Sequence, residues 1–170
     1  MRTRLTLMVL TLICGLTGCE SNSGGGGFPF FKRTPASQPV ERSLYERLGG
    51  EPGIRAIVED FVNRVQRDPR LNFARVGTDR EWRPTPEAIA LLQQHMVSFI
   101  GEATGGPQRY RGQDMRTAHR GMRITEAEFG AAVEDFELTL EQLRVGERER
   151  EELLALIRST RSDIVQPVAP

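Results

Sequence analysis

From Ile54 onward, apolar residues return every three or four positions and seldom every second one. Ile54, Ile57, Val58, Phe61, Val62 and Val65 make the first run. Ile89, Leu92, Met96, Phe99, Ile100 and Ala103 make the second, and Phe129, Ala132, Val133, Phe136, Leu140 and Leu143 the third. Leu153, Leu154, Ile157 and Ile164 make the last. A 3.6-residue period places each set on one face of a helix. Runs of β-branched residues, which would favour strands, are scarce. The pattern predicts an all-α domain of four sizeable helices, each needing a neighbour to cover its apolar face.

The punctuation between the runs agrees. "SLYE" is a capping box, with Ser43 at the N-cap and Glu46 three residues on, and Gly49-Gly50 ends that short helix. Pro52 suits a first helical turn, and Asp68-Pro69 is a stop. Residues 70–84 lack any period. Thr85-Pro86 opens the next helix and Gly105-Gly106-Pro107 closes it. A short helix is predicted to lead through Met115 to His119. "TEAE", Thr125 to Glu128, is a second capping box, with Ile124 and Phe129 placed as a hydrophobic staple.

The first residues follow another logic. Arg2 and Arg4 precede the apolar run "LTLMVLTLICGL", which is short for a bilayer span, and "LTGC" ends it at Cys19. A basic start, an apolar middle and small residues before a cut form a secretory signal. The terminal Cys resembles a bacterial lipobox. That resemblance implies a signal peptide over 1–18, a lipidated Cys19, and a protein exported and membrane-anchored outside the cytoplasm. Residues 19–42 then form a Gly- and Pro-rich tether, reaching roughly 25 Å as a coil. The folded domain is expected over 43–165, with a loose tail over 166–170. With Cys14 discarded and Cys19 acylated, no thiol remains for a disulfide or a metal. The 23 basic residues balance 23 acidic ones, so no nucleic-acid partner is expected.

Two histidines remain as candidates for chemistry. His119 precedes a break, flanked by Met115, Met122 and Ile124. His95 falls about 70° from the centre of the apolar face of its helix, at the edge of the stripe. A structural zinc site needs four ligands, and two histidines with scattered acids make a weak one. No G-x-S-x-G marks a nucleophile. A haem needs one imidazole, an apolar slot and a few polar groups for its propionates, and suits these residues best. On spacing alone, a structural histidine at a helix end stands beside that reading.

The order of motifs adds to it. "SLYERLGGEPGIRAIVEDFVNRV", a long helix ending in "GG", "RYRG", "MRTAHRGMRIT" and "EFGAAVEDFELTL" together resemble a group I truncated haemoglobin over about residues 43–165. The resemblance implies a two-over-two helical sandwich around haem b. It places the proximal iron ligand at His119. It places slot-lining side chains at Phe61, Phe99, Met115, Ile124, Phe129 and Ala132, with Phe73 against the haem face. Arg109, Tyr110 and Arg116 become candidates for the propionates.

The chain also departs from that family. The position of the family's ligand-binding Tyr is Val62, and the neighbouring third-helix position, often Gln, is Met96. With both donors missing, tight oxygen storage is not expected. His95 falls where some members carry a second, distal iron ligand and others a propionate-pairing Lys. Trp82 lies in an insertion, "TDREWRPTPEA", near the expected haem edge. The expected protein is a lipid-anchored haem globin, bis-histidine at rest. It would bind O2, NO or CO, or transfer single electrons with an unidentified redox partner. Nitric oxide dioxygenation is one alternative. A haem-free globin-like lipoprotein serving as an envelope interaction module is another.

Overall fold

The computed structural model describes residues 41–166. The expected signal peptide, Cys19, nearly all of the expected tether and residues 167–170 lie outside the described residues.

The chain enters through α1 (Leu44–Arg47), closed by a complete capping box: Ser43 Oγ accepts from the Glu46 amide, and the Glu46 carboxylate accepts from the Ser43 amide at 3.0 Å. Leu48 caps it, and Gly49 and Gly50 then turn the chain at φ 87° and 69°. Only glycine takes such angles without strain. The turn leads directly into α2 (Gly50–Val65). The chain is so tight here that a Cβ on Gly53 would lie 1.8 Å from the Leu48 carbonyl oxygen.

Thr85 caps α3 (Pro86–Ala103), with Pro86 at the first position, where its missing N–H is harmless. Then come α4 (Met115–His119) and α5 (Glu126–Gln142), the latter opened by the Thr125–Glu128 box. The last predicted helix is in fact two, α6 (Glu147–Ser159) and α7 (Arg161–Ile164). The hydroxyls of Ser159 and Thr160 fold back onto the carbonyls of Leu156 and Ile157, at 2.6 and 2.7 Å. Such hydroxyls compete with the helical ladder and favour a break there. No strand occurs among the described residues.

The helices pack as two pairs, α2 with α3 and α5 with α6, joined where α2 meets α5. This is the two-over-two arrangement that the family resemblance implies. One core runs through both pairs: Ile54, Ile57, Val58 and Val62 of α2, Val97 and Ile100 of α3, Phe129, Phe136 and Leu140 of α5, and Leu153 of α6. Phe61 and Phe136 meet edge to face at 5.2 Å across the α2–α5 contact. Phe136 is 1 % exposed, and truncating a ring so placed costs about 3–5 kcal/mol. A polar stitch holds the same contact: Asp60 accepts from Thr139 of α5 and Arg64 of α2, at 2.8 and 2.7 Å. Arg47 ties α1 to α6 through Glu149 and Glu152.

One face is rotated from its expected position. On α3 the fully buried apolar residues are Val97 and Ile100, while Leu92, Met96 and Phe99 are half-buried and Ala103 is exposed. α2 is the main helical partner of α3, so it covers one flank and leaves the other open. Leu143, expected on the α5 face, lies beyond the helix end and is exposed. Gln166, expected in the loose tail, is fixed: its amide donates to Ile124 and its side chain to the His119 carbonyl, both at 3.0 Å.

The Gly53 crossing makes a direct prediction. Gly53→Ala forces a methyl into the Leu48 carbonyl and should cost about 2 kcal/mol or more. Denaturant unfolding should show a lower midpoint with an unchanged slope.

Candidate functional site

α4 is held at its start by Asp114, whose carboxylate accepts from the Thr117 amide at 2.9 Å. Its last residue is His119. One turn back, the Met115 carbonyl lies 2.8 Å from His119 Nδ1. A carbonyl only accepts, so Nδ1 carries the proton and donates it. That leaves the Nε2 lone pair free for an outside partner. Burial pushes the His119 imidazole below its ordinary pKa. The Met115 bond opposes that shift, and the charges of Arg75 and Arg80 add to it. The ring is therefore neutral near pH 7, the form that binds a metal.

Large apolar side chains from four stretches lie partly buried around the core: Phe61 of α2, Phe73 of the following loop, Met96 and Phe99 of α3, and Ile124 before α5. Phe129 is buried at 8 %, and Ala132 beside it on α5 is half-buried. Met115 is half-buried on α4, outside the core cluster. Half-buried aromatic and sulfur side chains on the uncovered flank of α3 make an apolar wall, and His119 offers a nitrogen donor.

Residues 43–166 match the bacterial-like globin family. The chain is a bacterial-like globin. It is 30% identical over 124 residues to the group 1 truncated haemoglobin of Tetrahymena pyriformis, an alignment spanning 73% of this chain and 95% of that one. It is 34% identical over 101 residues to the group 1 truncated haemoglobin GlbN of Mycolicibacterium paratuberculosis, spanning 59% and 63%. The crystal structure of the Tetrahymena pyriformis protein in its Fe(III) form superposes with a TM-score of 0.63 at 29% identity, covering 74% of this chain and all of that one. The 2/2 haemoglobin of Synechococcus sp., in the cyanomet state with covalently attached haem, superposes with a TM-score of 0.62 at 32% identity, covering 73% and 98%.

In this globin the available groups suit a haem. A neutral imidazole with a free Nε2 could supply one axial donor, and Phe61, Phe73, Met96, Phe99 and Ile124 would supply flat or flexible apolar contact. The second-helix position expected to lack a donor is Val62, which is 1 % exposed within the core. Neither it nor Met96 can donate a hydrogen bond from its side chain.

His95 stands apart from the apolar wall. It is exposed on α3, and its ring lies perpendicular to Tyr110 with centroids 6.3 Å apart. Tyr110 also meets Phe99 edge on at 5.6 Å, and its hydroxyl donates to the Gln113 carbonyl at 2.9 Å. His95, Tyr110, Arg109 and Arg111 line a surface hollow of about 270 Å³. Of the propionate candidates, Arg109 is exposed beside this hollow, whereas Arg116 is engaged with Asp163 of α7 at 2.6 Å. Trp82 folds back onto the wall: its indole N–H donates to the Phe73 carbonyl at 2.7 Å, and the two rings meet at 5.2 Å.

Two contributors were not apparent from the sequence. Arg75 is 7 % exposed, in a left-handed backbone at φ 53°, and donates to the Met122 carbonyl at 3.1 Å. Gln166 caps the His119 carbonyl. Neither lies in a periodic segment, and both act on residues more than 40 positions away, so no local pattern marks them.

The depressed pKa of His119 has a measurable sign. The unfolded chain takes up this proton near pH 6.5, and the folded chain only at lower pH. The stability His119 contributes is complete above about pH 6.5 and is lost as pH falls through the interval below it. Denaturant unfolding of the haem-free domain from about pH 8 to pH 5 should show this loss. His119→Leu should remove that part of the pH dependence.

Proposed function

We propose that this globin binds haem b, with Nε2 of His119 as the proximal axial ligand. The observation that carries the reading is the Met115 carbonyl against His119 Nδ1. It fixes the ring's tautomer and its orientation, and raises the basicity of the free nitrogen. Phe61, Phe99, Met115, Ile124, Phe129 and Ala132 would line the slot, and Arg109 and Tyr110 would serve the propionates at its rim. The bound group would supply reversible binding of a diatomic gas and one-electron redox chemistry.

His95 is proposed as the second axial ligand of the resting state. It would take this role by turning away from Tyr110, and would leave again for an incoming gas. Two imidazoles keep the coordination unchanged through oxidation and reduction, which suits one-electron transfer or redox and gas sensing. The absence of a donor at Val62 and Met96 supports this use over nitric oxide dioxygenation, which benefits from such donors. The lipobox at Cys19 supports an acylated protein held at a membrane outside the cytoplasm, working with a redox partner there.

The test is spectroscopic. Residues 43–170, supplied with haem, should develop a sharp Soret band, and His119→Ala should abolish it. An unchanged spectrum in that variant would sink the proximal assignment. The ferrous unliganded protein should be low-spin, and His95→Ala should render it high-spin. A high-spin wild type would overturn the second axial role and leave the first intact.

A further inference from the structure

The loop between α2 and α3 carries a buried cation with no role in the core. Arg75 is the only basic residue among the buried side chains of the described chain, at 7 % exposed. Its guanidinium spreads over three partners. Nε donates to the Asn72 carbonyl within its own loop. Nη1 donates to the Met122 carbonyl, three residues past His119, at 3.1 Å. Nη2 pairs with the carboxylate of Glu128 in the first turn of α5.

Glu128 is itself a hub. One carboxylate oxygen accepts from the Thr125 amide at 3.1 Å and closes the cap of α5. The other accepts from Arg75 and from the Asn72 amide, the latter at 3.2 Å. One acid therefore fastens the loop to the segment that runs from His119 into α5. That segment bends sharply, through Gly121 at φ 82° and Arg123 at φ 53°. The same loop leans on the bend: a Cβ on Gly121 would lie 3.3 Å from Arg80 Cγ. Two residues before Arg75 stands Phe73, held by Trp82.

We propose that Arg75, with Glu128, is a positioning pair for His119: it locks the loop bearing Phe73 to the segment bearing the imidazole, and so holds two walls of the slot in register. This rests on the assignment of His119 as the iron ligand. A buried charge fork with fixed geometry suits the task, because removing either partner leaves the other uncompensated and the two segments free to part. Groups bonded directly to a metal-binding histidine typically change metal affinity about 10- to 100-fold when removed, and Arg75, which acts through the Met122 carbonyl, is expected at the lower end of that range.

The test compares Arg75→Ala, Arg75→Lys and Glu128→Gln with Arg47→Ala, which breaks a part-buried ion pair between α1 and α6. In the haem-free protein, Arg75→Ala and Glu128→Gln should speed amide hydrogen exchange over residues 119–124 and leave α2 and α6 unchanged. In the haem-loaded protein they should raise the rate of haem transfer to an acceptor apoglobin by about tenfold. They should also shift the iron–histidine stretching frequency in a His95→Ala background. Arg75→Lys should recover part of each effect. Arg47→Ala should lower the unfolding midpoint without moving the haem readouts. Unchanged exchange over 119–124, or equal haem loss in Arg47→Ala, would overturn the positioning role. Absence of a Soret band in the wild type would instead refute the His119 assignment, while the exchange result would still judge the loop contact.

Discussion

A helix of five residues cannot hold itself. α4 closes barely more than one turn, far below the length at which backbone hydrogen bonds offset the cost of nucleation. Yet its last residue is His119, the imidazole proposed as the iron ligand. Its placement must come from outside the helix. Asp114 caps its start, Asp163 of α7 holds Arg116, Gln166 takes the His119 carbonyl, and Arg75 and Arg80 reach across from the loop after α2. The short helix is a fitting held by its neighbours, and its neighbours are held by the core.

That core explains why an apolar wall is left open. α2 meets both α3 and α5 and buries Ile54, Ile57, Val58 and Val62 almost completely. α3 has α2 as its main helical partner, so the residues on its other flank lack a helical neighbour. A small all-α protein that leaves Met96 and Phe99 half-covered forgoes burial worth about 1 kcal/mol or more for each side chain. A flat apolar group set against that flank would restore it. Binding the group and completing the core are then one event, and the bound form should be the more stable one.

Much of this was legible because it is local. Both capping boxes formed as the spacing of Ser43–Glu46 and Thr125–Glu128 required, and the break after His119 fell where Gly121 stands. The apolar period marked the four helical stretches, although the last of them is two helices. It could not say which flank of α3 would be covered, since periodicity defines a stripe and the neighbours decide its centre. The α6–α7 break escaped because Ser159 and Thr160 are compatible with a continuing helix until their hydroxyls bind backwards. Asp135 is a similar case. It reads as a surface acid of α5, yet it is 6 % exposed, and burial next to Asp68 pushes its carboxyl up. Arg75 escaped for the opposite reason: its partners Met122 and Glu128 lie 47 and 53 residues away, in a contact only the fold creates.

His95 shows how little the protein itself decides between one imidazole and two. Its ring is held by an edge contact with Tyr110, worth about 0.5–1.5 kcal/mol in favourable cases and less on an exposed surface. No hydrogen bond anchors it among the described residues. Were His95 to serve as the proposed second ligand, leaving Tyr110 would forfeit only that edge contact, and the affinity of a bound iron for a second nitrogen would set the resting state. A ligand competing for that position would then need to overcome mainly that affinity, because the outward ring has its place against Tyr110. The contrast with His119 is one of construction: Asp114, the loop carrying Arg75 and Arg80, α7 and Gln166 hold the segment bearing one imidazole, and a single aromatic edge parks the other.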